Sequence, residues 1–183
     1  MKVGILGSGA VAKSLATGFL SHGDDVMLGT RQQDRLKEWL SQHPTARVGS
    51  VDETARFGEL LVLAVKGTAA PDVVRAAGAT NVAGKVMLDA TNPIADAPPT
   101  NGVLAFFTTL DESLMERLQR EFASVQFVKA FNSVGSASMV NPAFAGGRRA
   151  CSLAGGLRRA RADCRHPAQS APVQRTACRS QRS

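Results

Sequence analysis

The sequence has 183 residues, 44% of them hydrophobic and 20% charged, which fits a globular chain and excludes disorder and a membrane-spanning array. No stretch approaches the roughly 20 apolar residues of a membrane helix, and the run Met1 to Gly7 is shorter than a signal-peptide core, so no membrane partner and a cytoplasmic location are expected. The net charge of +7 sits at one end: residues 1–147 hold 13 Lys and Arg against 14 acids, while residues 148–183 hold nine Arg against Asp163 alone. The expected organisation is a near-neutral domain over 1–147 and an Arg-rich, disordered tail over 148–183.

Lys2 to Leu6 is a short apolar run, as in a strand buried on both faces. Gly7-Ser8-Gly9-Ala10-Val11-Ala12 follows, in the pattern G-x-G-x-x-A. Val11, Leu15 and Phe19 then recur at helical spacing until Ser21-His22-Gly23, where the glycine is a natural stop. A second strand, Asp25 to Gly29, completes a β-α-β unit. In that setting Gly7 permits the tight turn, Gly9 leaves room for a pyrophosphate, and Ala12 lets helix and strand approach. The helix start offers free N–H groups and a positive dipole end to the phosphates. The pattern predicts a dinucleotide site over Gly7, Ser8, Gly9, Ala10 and Val11; the plain alternative is a Gly-rich turn.

The end of the second strand discriminates between cofactors. An NAD site usually has an acid there for the ribose 2′-hydroxyl. This chain has Gly29-Thr30-Arg31, with Arg35 one helical turn later. Thr30 can donate a hydroxyl and Arg31 can fork onto a 2′-phosphate, which predicts NADP(H). The alternative is that both arginines face solvent.

The alternation continues. Leu36, Trp39 and Leu40 give a helix an apolar face, and Ser50-Val51-Asp52-Glu53 has the capping-box pattern. Leu60 to Val65 is a third strand, Thr68 to Ala79 a helix with Pro71 near its start, and Lys85 to Ala90 a fourth strand. Leu114, Met115, Leu118 and Phe122 mark a helix face, and Gln126 to Phe131 a fifth strand. The fold class is α/β, a Rossmann-like doubly wound parallel sheet with five readable strands.

In such sheets ligands bind beyond the C-terminal strand ends. Those ends supply Ala64, Val65 and Lys66, then Asn92 and Pro93, then Ala130 and Asn132. Lys66 is open to two readings, a cofactor contact or a solvated loop lysine. Ile94 to Thr109 has no clear period and reads as a loop with a small strand or flap over Val103 to Phe107. It is a candidate substrate lid or a simple insertion. Phe106 and Phe107 are read as core aromatics rather than a stacking platform. His22 and His43 lack partners at ligand spacing, so no metal is predicted. No nucleophile is apparent and no catalytic residue is assigned, which fits chemistry carried by a cofactor.

Gly7-Ser8-Gly9-Ala10-Val11, Gly29-Thr30-Arg31, Asp89-Ala90-Thr91-Asn92-Pro93 and Val128-Lys129-Ala130-Phe131-Asn132-Ser133 together resemble the NADPH-dependent deazaflavin reductase family, also described as coenzyme F420-dependent NADP oxidoreductases. The resemblance covers residues 1–147. It implies hydride transfer between NADP(H) and a small-molecule acceptor with a flavin-like ring, coenzyme F420 or a flavin. It places the phosphates on Gly7 to Val11, the 2′-phosphate on Thr30, Arg31 and Arg35, and the nicotinamide near Val65, Lys66, Asn92, Pro93 and Asn132. Two other functions are weighed: an NADP-binding module without turnover, and another Rossmann reductase of pyrroline-carboxylate or hydroxyacid type. The last needs a large helical substrate domain that 36 polar residues cannot supply.

The resemblance also implies a sixth strand and a helical region after Gly147, which closes the acceptor site and often forms a homodimer. Both are expected to be lost here, which leaves a homodimer possible but disfavoured. Arg149-Ala150-Cys151-Ser152 can be written in codons that, begun one base earlier, read Pro-Ser-Met-Phe, as the family has at this point. The tail from about residue 149 is therefore read as a shifted reading frame. The alternative is a basic arm for nucleic acid or acidic lipid, which the missing helical period and aromatics disfavour. Cys151, Cys164 and Cys178 lack C-x-x-C spacing and are read as free thiols.

Overall fold

The computed structural model describes residues 1–142. The boundary at 147, the Arg-rich tail, its three cysteines and the shifted frame lie outside the described residues.

Strand β1 (Lys2–Leu6) is buried beyond its first residue, as its apolar run requires. Helix α1 (Ala10–Ser21) returns the chain to β2 (Asp25–Gly29), which pairs parallel to β1 from Lys2↔Asp25 to Leu6↔Gly29. Gly23, at φ +79, makes the turn between them. A 3-10 turn (Gln33–Leu36) and helix α2 (Lys37–Gln42) follow, then a short strand β3 (Arg47–Gly49). Helix α3 (Val51–Phe57) opens on the predicted capping box: the Ser50 amide donates to Glu53 Oε2 at 2.8 Å, and the Ser50 hydroxyl accepts from the Glu53 amide. Strand β4 (Leu60–Leu63), helices α4 (Ala70–Ala77) and α5 (Ala79–Val82), strand β5 (Val86–Asp89), helix α6 (Leu114–Glu121) and strand β6 (Gln126–Lys129) complete the order. The helix expected over Thr68 to Ala79 is α4, and Gly78, at φ +87, separates it from α5, which was not expected.

Among the described residues the sheet is parallel throughout and has six strands in the order β3-β2-β1-β4-β5-β6. The five-strand reading is corrected by β3. Its three residues are too few to show a period, and it pairs only with β2 at the sheet edge. All six strands lie among the described residues, and the strand expected after Gly147 lies outside them.

Because side chains alternate along a strand, Leu6, Leu61, Leu63, Met87 and Phe127 share one face. They meet Ala55, Ala70, Val74, Leu114 and Leu118 from α3, α4 and α6 in a continuous core. Fully burying each large aliphatic stabilises the fold by about 1.5–3 kcal/mol. Val3, Ile5 and Leu28, all fully buried, project to the other face, where α1 packs against β1 and β2. No helix among the described residues is long and apolar enough to cross a membrane.

The segment after β5 is a short hairpin, whose returning arm coincides with the small strand or flap expected over Val103 to Phe107. Ile94 bridges Phe106 in antiparallel fashion, Ala95 donates its amide to the Ala105 carbonyl, and Phe107 to that of Pro93. The tip closes through Asn101 and Gly102, both at positive φ (50° and 77°), the geometry of a two-residue hairpin turn. Phe107 packs against the core rim, but Phe106 is 61% exposed, which corrects its reading as a core aromatic. The alternation that turns Phe107 inward turns Phe106 out.

Candidate active site

The strand order reverses between β1 and β4, and a cleft opens at their C-terminal ends, where such sheets bind ligands. A cavity of about 670 Å³ lies there. Its floor is the turn from β1 into α1, its flank the end of β2, and its far wall the end of β4. Gly7 holds φ +141, and a Cβ on it would stand 2.2 Å from the Ala64 carbonyl oxygen. Its amide donates to the Gly29 carbonyl at 2.9 Å. A Cβ on Gly9 would meet nothing within 4 Å, because it would project into open space. Gly9 also caps α1 without any side-chain hydrogen bond, and the first turn of that helix holds no acid. The first-turn amides and the positive helix end therefore face the cavity with no protein anion against them. Ala12 is fully buried between helix and sheet.

Thr30, Arg31 and Arg35 line the same cavity. The Thr30 hydroxyl donates to Ser8 Oγ at 3.1 Å and accepts from the Gln32 amide at 3.1 Å. Both arginines are exposed, and neither guanidinium is paired with a carboxylate among the described residues. The donor set, a helix N-terminus together with two guanidinium groups, fits a ligand with two separated phosphate groups.

A second cavity, of about 650 Å³, adjoins the first and shares Val11, Val65, Lys66 and Ala90 with it. Asn92 and the outgoing arm of the hairpin, Ile94 to Pro98, form its other side. Lys66 lines both cavities with an exposed side chain. Its ammonium pairs with Asp96 at 2.9 Å, and the Thr68 hydroxyl donates to the other Asp96 oxygen at 2.9 Å. Those two bonds hold the Asp96 carboxyl below the usual carboxylate range, Lys66 being the stronger influence. Asp96 was not singled out in the sequence, because only the fold of the hairpin brings it to Lys66.

Asn92 donates from Nδ2 to the Asn132 carbonyl at 2.9 Å, joining the ends of β5 and β6. Pro93, Ala130 and Asn132 line neither cavity. Pro93 anchors the hairpin through its carbonyl, and Ala130 donates its amide to the Asp89 carbonyl. Beneath them lies a polar cluster absent from the predicted site. Asp89 is fully buried. Its Oδ2 accepts from the Lys129 ammonium at 2.8 Å, and its Oδ1 accepts from the Thr91 amide at 2.9 Å and the Thr91 hydroxyl at 2.6 Å. Lys129 also donates to the Thr91 carbonyl. Phe131, buried between Lys129 and Asn132, holds φ +64. That conformation costs a bulky side chain about 1–3 kcal/mol. Among the described residues no group of His, Cys, Asp or Glu could hold a metal ion.

The family model described as NADP oxidoreductase coenzyme F420-dependent matches residues 2–93. The solved structure of a presumed F420-dependent NADP reductase from Arthrobacter sp. FB24 is similar at 27% identity and a TM-score of 0.76, over 91% of this chain and 82% of that one. An imine reductase from Streptomyces aurantiacus shares the fold at 18% identity and a TM-score of 0.52, over 70% of this chain but 39% of its own. A reductive aminase from Aspergillus terreus, solved with NADPH and ethyl levulinate, does so at 19% identity and a TM-score of 0.51, also over 70% of this chain and 39% of its own. No curated protein matches the sequence.

Proposed function

The chain belongs to the family of coenzyme F420-dependent NADP oxidoreductases, and from that premise we propose that it passes a hydride between NADP(H) and a flavin-like or deazaflavin ring. The single observation that supports this pairing is the adjacency of two cavities of similar size, separated by Val11, Val65, Lys66 and Ala90. One has the donors for a dinucleotide; the other leaves room for a planar acceptor beside it.

In this reading the Gly7 to Val11 turn holds the pyrophosphate through backbone amides and the α1 dipole. Thr30 holds the adenosine ribose, while Arg31 and Arg35 hold the 2′-phosphate. Ala64, Val65 and Lys66 run beneath the nicotinamide half; Asn92 lines the acceptor cavity, while Pro93, Ala130 and Asn132 support the strand ends from outside both cavities. When bound, the cofactor supplies the hydride, with a proton from water completing reduction of the acceptor. The protein's part is to set two rings face to face and exclude water between them. The apolar walls Val11, Val65 and Ala90 suit that task.

The test is NADPH oxidation by the full chain with coenzyme F420, and separately with FMN, followed by nicotinamide absorbance. Turnover with either supports the reading, and the better acceptor names the ring. NADPH binding without turnover would identify a binding module instead.

A further inference from the structure

The pair of half-buried Lys129 and buried Asp89 has no role in holding either phosphate region, yet it places an ion pair at the sheet's C-terminal edge. Asp89 ends β5 and Lys129 ends β6, and the two strands are in register at that position. Both groups converge on Thr91: Asp89 takes its amide and hydroxyl protons, and Lys129 donates to its carbonyl. Every hydrogen-bonding group of Thr91 is therefore committed to this pair. The next residue is Asn92, which lines the second cavity and whose side-chain amide donates to the Asn132 carbonyl.

We infer that Lys129 is a positioning residue: through Asp89 and Thr91 it fixes where Asn92 stands on the wall of the second cavity, and so the alignment of the two rings. This rests on the reading of that cavity as the acceptor site. An ion pair with one partner buried is a weak device for stability, since burial costs the charge its hydration. Its value here is directional, because three bonds from two strands define one turn.

The experiment compares the full-length protein with Lys129→Met, Asn92→Ala and the double variant. NADPH affinity is measured by titration, and turnover with coenzyme F420 or FMN as acceptor. In Lys129→Met, NADPH Kd is expected to stay within about threefold, because the phosphate contacts lie on other strands, while kcat falls at least tenfold. Asn92→Ala is expected to show the same split. The double variant is expected to be no worse than the poorer single variant, since residues acting through one another are non-additive. Wild-type kcat in Lys129→Met, or full additivity with Asn92→Ala, would overturn the inference.

Lys129→Met leaves Asp89 buried without a cation. Should that variant not fold, Asp89→Asn with Lys129→Met removes both charges while Asn keeps an acceptor for the Thr91 amide. The same fall in kcat is then expected, and wild-type kcat would overturn the inference. A readout that needs no acceptor separates this from the assignment of the acceptor: the emission of bound NADPH. Lys129→Met and Asn92→Ala are expected to shift it by the same amount at saturation. Unchanged emission in Lys129→Met would overturn the inference whatever acceptor the protein uses.

Discussion

Thr30 donates its hydroxyl proton to Ser8 across 3.1 Å, tying the end of β2 to the turn that follows β1. The two sides of the first cavity are therefore set relative to each other before any ligand arrives. Arg31 follows Thr30 directly, so its stem is fixed at the root while its guanidinium is exposed.

Arg31→Ala is expected to weaken NADPH binding and leave NADH binding nearly unchanged. A charge-assisted hydrogen bond to the 2′-phosphate contributes about 1.5–3 kcal/mol, which corresponds to on the order of tenfold to hundredfold in Kd. Titration of both nucleotides against wild type and variant checks this. Equal losses for NADPH and NADH would place Arg31 away from the 2′-phosphate.

Acid sensitivity should follow the helix caps. Glu53 is held below the ordinary glutamate range, chiefly by the Ser50 amide and then by its hydroxyl. A carboxyl depressed on folding stabilises the fold above its unfolded pKa, and that contribution fades as pH falls through the lower folded value. Asp52 and Glu116 are shifted the same way. Glu53→Gln keeps an acceptor for the cap but no charge. Its Tm is expected to lie below wild type above about pH 4.5 and to converge with it in stronger acid. Parallel Tm curves across that range would count against the cap as the source.

How much of this was legible depended on distance along the chain. The β1-α1-β2 unit could be read because turn, helix period and second strand fall within thirty consecutive residues. The Ser50–Glu53 cap was read from its spacing, and Ser113–Glu116 has the same spacing and forms the same box. Strand β3 was not legible, because an edge strand of three residues shows no alternation. Asp89–Lys129 and Lys66–Asp96 join residues 40 and 30 positions apart, and no local pattern announces such pairs. The resemblance had pointed to the runs around Asp89 and Lys129, but only the parallel register of β5 and β6 showed that they meet.

Thr54 offers a stabilising change. It is fully buried against Gly4 and Gly29, and its hydroxyl has no hydrogen-bond partner among the described residues. Thr54→Val keeps the shape and removes the unpaired group. The expected gain is about 1 kcal/mol, or a rise in Tm of about 2–4 °C for a chain of this size. Thermal unfolding followed by circular dichroism measures it, and a fall in Tm would mean that the hydroxyl is satisfied by water.

Gly7 and Gly9 stand two positions apart and should fail in opposite ways. At Gly7 a methyl group meets the Ala64 carbonyl at 2.2 Å on a backbone at φ +141. Gly7→Ala combines a strained dihedral with overpacking and should cost about 2–5 kcal/mol of stability, a large share of the roughly 5–15 kcal/mol that holds a domain folded. At Gly9 the backbone is extended, with φ −79, and an added methyl meets no protein atom. Gly9→Ala should therefore leave Tm within a few degrees, since Gly and Ala differ by roughly 1 kcal/mol at a helix N-cap. Its methyl would nevertheless occupy the space where the pyrophosphate approaches the backbone, so NADPH Kd is expected to rise at least tenfold. Thermal unfolding and nucleotide titration on both variants separate the two effects. A Gly9→Ala protein that bound NADPH as wild type does would show that the phosphates do not lie over this turn.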